Sequence, residues 1–352
     1  ARMAAPGEFT QRAFLNGRID LLQAEAVLDL IQAKTEKNRQ WAAAQLEGSL
    51  SKKTARMRTE FLDILSFLEA SIDFPEDDLE IGGYSGIEIK LNGLKLPIEA
   101  LLNGSSLGLL ARRGVRVALW GRPNAGKSSL MNSLTKHNRV IVTPTPGTTR
   151  DVVEDEVQLE GFPVKFLDMA GIQETQYLIE KESVSRSRQA MMGSDLVLYV
   201  LDANGSWGDQ DTKLFHEIGS KPKIVVLNKA DLPMKVEESQ LKKLIGNTQA
   251  VETSCQTGKG IESLEKQIVR WVTGGCSLSA DEDVISSARQ KDVLEKMLLA
   301  IQTAQSACQA RLSPELVAVD VRLAMDHLGA LVGEIVTDDV LDVLFSRFCI
   351  GK

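Results

Sequence analysis

Histidine and cysteine are scarce in this chain of 352 residues. The three histidines (His137, His216, His327) and four cysteines (Cys255, Cys276, Cys308, Cys349) are scattered, with no C-x-x-C pair. Such spacing offers no metal site built on Cys and His, and it fits reduced thiols in a cytoplasmic compartment. Long apolar runs are missing too. None approaches the ~20 residues that cross a bilayer, so no membrane partner is expected. The opening "ARMAAPGEFTQRAF" has no secretory pattern and no initiator Met, which reads as a fragment whose natural beginning is lost. An excess of positive charge is also absent. The net charge of −7 argues against a generally basic RNA- or DNA-coating protein and leaves open nucleic acid bound through a local patch.

What is present is an ordinary globular composition, 43% hydrophobic and 25% charged, long enough for two or three domains. Residues 14 to 72 read as helices. In "LLQAEAVLDLIQAK" the stripe is Leu21, Leu22, Ala24, Val27, Leu28 and Ile31; in "FLDILSFLEASIDF" it is Phe61, Leu62, Ile64, Leu65 and Leu68. Pro75 and "PEDDLEIGGYSG" break the run. From about 112, short apolar strands alternate with helices: "VRVALWG", "VVEDEVQL", "PVKFLD", "DLVLYVLDA", "KIVVLNK" and "AVETS". "EGF" after Leu159 reads as a hairpin turn. This pattern predicts a mostly parallel sheet covered by helices. After "GGCSLSADED" helices return, with Val293, Met297, Ile301, Ala304 and Cys308 on one side of the first. Helices at both ends suggest one helical domain interrupted by an inserted α/β domain, since neither piece alone promises a large core.

"GRPNAGKSS" fits the phosphate-binding pattern G-x-x-x-x-G-K-[ST] through Gly121, Gly126, Lys127 and Ser128, between a strand and a helix. Its backbone amides, including those of Ala125 and Ser129, cradle phosphates; Lys127 reaches the β/γ oxygens and Ser128 ligates Mg²⁺. "NKAD" (Asn228, Lys229, Ala230, Asp231) follows an apolar strand. An Asp there accepts hydrogen bonds from N1–H and the exocyclic amine of guanine, a pair that adenine lacks. Asn and Asp also favour turns, so the motif has weight only behind the phosphate loop. "TSCQTGKG" adds Ser254 and Cys255 around the base. "GTTRD" offers Gly147, Thr148 and Thr149, one hydroxyl of which (Thr149) completes the Mg²⁺ shell; a plain threonine-rich strand is the alternative. "DMAG" supplies Asp168 as outer-shell carboxylate and Gly171 as γ-phosphate donor, with Met169 and Ala170 between. The set points to GTP.

The chain resembles the MnmE (TrmE) family of bacterial tRNA-modification GTPases over essentially its whole length. "PGEFTQRAFLNGRIDLLQAEA", "GRPNAGKSSLMN", "GTTRD", "DMAGIQET", "NKAD" and the terminal "FCIGK" carry the resemblance. It implies an α/β Ras-like P-loop G domain, with a mixed, mostly parallel sheet, inserted into an all-α helical domain. Residues 1–111 would be the end of a folate-binding domain and the first part of the helical domain, 112–275 the G domain and 276–352 the second helical part. Ile172 stands where Ras-like proteins carry a water-positioning Gln, and the resemblance transfers that work to Glu180. It also implies K⁺ bound by Asn124, Thr143, Thr145 and Thr148 when two G domains pair, leaving Arg150 structural. Pro144 and Pro146 stiffen that loop. Met169 and Cys255 depart from the family's usual Thr and Ala.

By the same resemblance, Cys349 acts on the tRNA substrate or its adduct, although a Cys after Phe348 is as readily a packing residue. Arg18 and Lys352 match folate contacts. The implied activity is K⁺-stimulated GTP hydrolysis in a homodimer. It works in a heterotetramer with a flavin-dependent partner of the MnmG (GidA) type. The product is an aminomethyl or carboxymethylaminomethyl group on C5 of the tRNA wobble uridine, with a tetrahydrofolate derivative as carbon source. The rivals are a ribosome-assembly GTPase and a regulatory switch that needs an external activator.

Overall fold

A computed structural model describes residues 2–73, 83–136, 155–167, 188–206, 208–235, 241, 245–246, 248–275 and 283–351. They belong to two compact units, Ala1–Arg112 with Leu278–Lys352, and Arg113–Ser277.

The first unit is helical. Its helices are α1 (Glu8–Leu15), α2 (Leu21–Gln32), α3 (Glu36–Leu46), α4 (Ser49–Asp73) and α5 (Gly83–Arg113), all from the first part of the chain. α2 begins at a capping box: Gln23 N donates to Asp20 Oδ1 (2.8 Å) and Asp20 N to Gln23 Oε1 (3.1 Å). The second part of the chain adds three more helices, numbered along the whole chain as α9 (Ala288–Gln309), α10 (Pro314–Val332) and α11 (Asp338–Phe345). Both parts feed one core, in which Phe61, Ile64, Leu91 and Leu94 meet Leu294, Met297, Ile301 and Val321. A smaller cluster joins Leu21 and Leu28 to Leu341, Leu344, Phe345 and Phe348.

The apolar stripes differ from the sequence expectation at particular positions. Ile31 and Leu62, expected inside, are 41% and 45% exposed. On α2 the buried set includes Glu25 and Asp29. Glu25 accepts from Arg289 Nε (2.9 Å) and Gln290 Nε2 (2.5 Å), and the same guanidinium donates to the carbonyls of Ala330 and Leu331 at the end of α10. Two acids can sit inside because hydrogen-bonding partners arrive with the second part of the chain.

The second unit is α/β: β1 (Val115–Trp120), α6 (Lys127–Lys136), β2 (Asp155–Leu159), β3 (Phe162–Leu167), β4 (Leu196–Asp202), α7 (Asp209–Glu217), β5 (Lys223–Asn228), β6 (Ala250–Glu252) and α8 (Ile261–Val272). The sheet order is β2-β3-β1-β4-β5-β6. Among the described strands of this sheet, only β2 and β3 pair antiparallel, around a two-residue turn at Glu160 and Gly161. The other pairs are parallel. Parallel strands are buried on both faces, which is why β4 and β5 read as unbroken apolar runs. The β4–β5 register sets Asp202 opposite Asn228, so β4 and β5 finish level at the carboxyl end of the sheet, the end at which α/β proteins bind ligands.

Candidate nucleotide site

The loop between β1 and α6 turns at once into a helix, so unpaired amides of the first helical turn gather at its mouth, with Ser128 and Ser129 beside them. Lys127 folds back over the loop. Its Nζ donates to the carbonyls of Gly121 (2.9 Å) and Arg122 (2.7 Å), and burial holds its pKa below the usual lysine value. Asn124 adopts the left-handed conformation (φ 62°) and its side chain is exposed. Ala125 is buried. Gly126 has φ 92°, and a Cβ there would lie 2.2 Å from Asn228 Nδ2, so the loop and the "NKAD" turn touch at a point only glycine allows.

Asn228, 2% exposed, stitches the two segments together. Its Nδ2 donates to the Ala125 carbonyl (3.1 Å), and its Oδ1 accepts from Thr253 Oγ1 (3.3 Å) and Cys255 Sγ (3.4 Å). Ala230 N donates to Thr253 O (3.0 Å). Ser254 is fully buried; its hydroxyl donates to Asp231 Oδ1 (2.6 Å) and accepts from Thr257 N (3.2 Å). Asp231 itself is exposed, an oriented carboxylate with a second oxygen free to accept. Desolvation pushes the Cys255 thiol above its ordinary pKa, which suits a wall residue rather than a nucleophile. These features fit a guanine nucleotide: amides and a buried lysine for phosphates, and a pre-set carboxylate for the base.

The described residues thus bring together Asn124 to Ser129, Asn228 to Asp231, Ser254 and Cys255. The positions expected at Thr143, Pro144, Thr145, Pro146, Gly147, Thr148, Thr149, Asp168, Met169, Ala170, Gly171, Glu180 and Lys352 lie outside the described residues. Ser128 is therefore the one expected Mg²⁺ ligand, and Asn124 the one expected K⁺ ligand, among the described residues. No cluster of three His, Cys, Asp or Glu side chains suited to a metal occurs among the described residues. Arg18 and Cys349 belong to the helical unit and are exposed; a bridge between Pro6 and Ile350 ties the terminal "CIGK" segment to the start of the chain.

Sequence reasoning missed three participants. Asp202, at the end of β4, takes the Lys229 ammonium (2.6 Å). Arg122, a free position of the phosphate-loop pattern, pairs with Asp211 (3.1 Å). The available signal was "GDQD", an acid three residues after a helix-starting Gly.

A family model described as the MnmE helical domain matches residues 21–349. The tRNA modification GTPase MnmE of Clostridioides difficile (strain 630) is 41% identical over 351 residues, covering 100% of this chain and 76% of that protein. Its counterpart from Thermoanaerobacter sp. (strain X514) is 42% identical over 353 residues, with the same coverage. Among solved structures, the G domain of the T. maritima FeoB iron transporter shares 31% identity over 45% of this chain and 98% of its own. The TM-score of that superposition, 0.34, is too low to bear on the fold.

Proposed function

The chain belongs to the MnmE family of tRNA modification GTPases, and from that premise we propose that it hydrolyses GTP in a K⁺-stimulated reaction switched on when two G domains pair. The observation that carries this reading is the Asn228 stitch. It sets the phosphate loop against the Asp231–Ser254 base site, so one nucleotide engages both. Asp231 selects guanine, and the amides of Ala125 to Ser129 with Lys127 hold the phosphates. Asn124, exposed on the same loop, suits the K⁺ position, with Thr143, Thr145 and Thr148 as further ligands. Ser128 and Thr149 are the Mg²⁺ ligands, backed by Asp168. The two cations offset charge on the phosphate oxygens. Glu180 accepts a hydrogen bond from the attacking water and orients it, the role that Ile172 cannot perform.

The α/β unit is then the G domain, and the helical unit carries the tRNA-directed work with Cys349. The partner is a flavin-dependent protein of the MnmG type in a cytoplasmic heterotetramer. Together they alkylate C5 of the wobble uridine with a carbon drawn from a tetrahydrofolate, held in part by Arg18 and Lys352.

The test is GTP turnover at several protein concentrations, in K⁺ and in Na⁺ buffer, with Glu180→Ala alongside. Turnover per molecule should rise with concentration and with K⁺, and the substitution should abolish it. Turnover indifferent to K⁺ and to the substitution would instead describe a switch awaiting an external activator.

A further inference from the structure

Within the phosphate loop, the Arg122 side chain reaches an acid on α7. Its guanidinium pairs with Asp211, whose carboxylate is 5% exposed against 43% for the arginine. Asp211 is itself held from three sides. Its Oδ2 accepts from Gly208 N (3.1 Å), its carbonyl accepts from the hydroxyl of the fully buried Tyr199 (2.8 Å), and its helix receives the Trp120 indole at Leu214 O (2.9 Å). Tyr199 in turn packs edge-on against Phe215. α7 is thereby fastened to β1 and β4, a fixed platform beside the loop. The main chain of Arg122 has a second task. Its carbonyl accepts from Lys127 Nζ (2.7 Å) and from Ala125 N (3.4 Å), which closes the turn that presents Asn124. Arg122, Asn124, Asp202, Asp211 and Lys229 line one cavity.

We propose that Asp211 is a positioning residue for GTP hydrolysis: by holding the Arg122 guanidinium it sets the 122–125 turn, and with it Lys127 and Asn124, against the phosphates. The inference deepens the reading of this site as a K⁺-stimulated GTPase and rests on it. Base recognition comes from Asp231 and Ser254, which the brace does not touch. Loosening the turn therefore weakens the aligned transition state more than it weakens nucleotide binding.

The experiment is a double-mutant cycle with Arg122→Ala, Asp211→Asn and the pair, reading kcat, KM and the K⁺ concentration for half-activation, with fluorescent GDP titration for affinity. A charge-assisted bond to a partly exposed arginine predicts about a tenfold fall in kcat for Arg122→Ala, with KM and GDP affinity moving less than about threefold. The K⁺ requirement should rise, and Arg122→Lys should recover part of the loss. The pair should lose no more than the worse single, because both remove one contact. Asp211→Asn also disturbs the start of α7, whereas Arg122→Ala leaves the Gly208 and Tyr199 bonds to Asp211 in place, and an unchanged urea midpoint for that variant separates its loss from a damaged helix. Wild-type kcat in Arg122→Ala, or losses that multiply in the pair, overturns the proposal. If the parent protein ignores K⁺, the GTPase reading fails in its cation part, while the cycle in kcat still decides the brace.

Discussion

Replacing Asp29 with asparagine should stabilise the helical unit at neutral pH, although it removes one half of an ion pair. Asp29 is 9% exposed, and Arg112 Nη2 approaches its Oδ1 to 2.7 Å without hydrogen-bond alignment, so that oxygen receives no hydrogen bond. Ser286 Oγ donates to the other oxygen (2.6 Å). Burial dominates and raises the pKa from 3.8 to about 6; Arg112 and Ser286 pull it down, and nearby Glu25 adds to the rise. Between those values the folded state keeps a proton that the unfolded chain has released. This carboxyl's contribution to stability is therefore greatest below about pH 4 and is lost as pH climbs through 6. A pKa displaced that far corresponds to roughly 3 kcal/mol between the two protonation states. Asparagine resembles the protonated acid. Less well-formed bonds to Arg112 and Ser286 reduce the expected gain to about 1–3 kcal/mol at pH 7.5, falling toward zero at pH 4. Amide exchange of α2 in both proteins at each pH reports on the helical unit alone, and at amides away from position 29 the intrinsic exchange rates cancel in the comparison. An Asp29→Asn protein that exchanges faster at pH 7.5 would refute the reasoning and show that the ion pair outweighs its burial.

In α5, Gly108→Ala should destabilise by about 1–3 kcal/mol in urea unfolding despite the better helix former, because the new Cβ would lie 2.2 Å from the Ile285 carbonyl oxygen. Gly104→Ala in the same helix meets nothing within 4 Å and should stabilise by up to about 1 kcal/mol, so the pair separates packing from propensity. Arg289→Ala takes the paired cation from Glu25, 2% exposed, leaving it only the Gln290 and Ser287 bonds, and removes the donor to two carbonyls at the end of α10; a loss of about 3–5 kcal/mol is expected by the same assay. Asp231→Asn should raise KM for GTP by about 100-fold or more and favour xanthosine triphosphate, whose base offers an acceptor where guanine has a donor; unchanged selectivity would remove Asp231 from the base site.

Much of the nucleotide site is legible in the order of residues. A phosphate loop needs a strand end, a few tight backbone conformations and a helix start, and all of these lie between Val115 and Lys136. The "NKAD" turn and the Glu160–Gly161 hairpin are equally local. Buried parallel strands announce themselves as apolar runs because both faces are covered. Helical stripes succeed where core and pattern coincide, as at Phe61, Ile64 and Leu68.

Other features were settled by segments far apart in the chain. Apolar periodicity counts Ile31 inside and Asp29 outside, and the folded molecule reverses both. Periodicity records the chemistry of each position but not which partner will reach it; Ser286, Arg289 and Gln290, which bond to Asp29 and Glu25, stand 257 to 265 positions further along. Arg122 and Asp211 give no sign of each other in the chain, where they stand 89 residues apart. Hydrogen bonds and ion pairs act over a few ångströms of space with no regard for separation along the backbone, so a buried acid or a braced loop becomes visible only when the fold has brought its partners together.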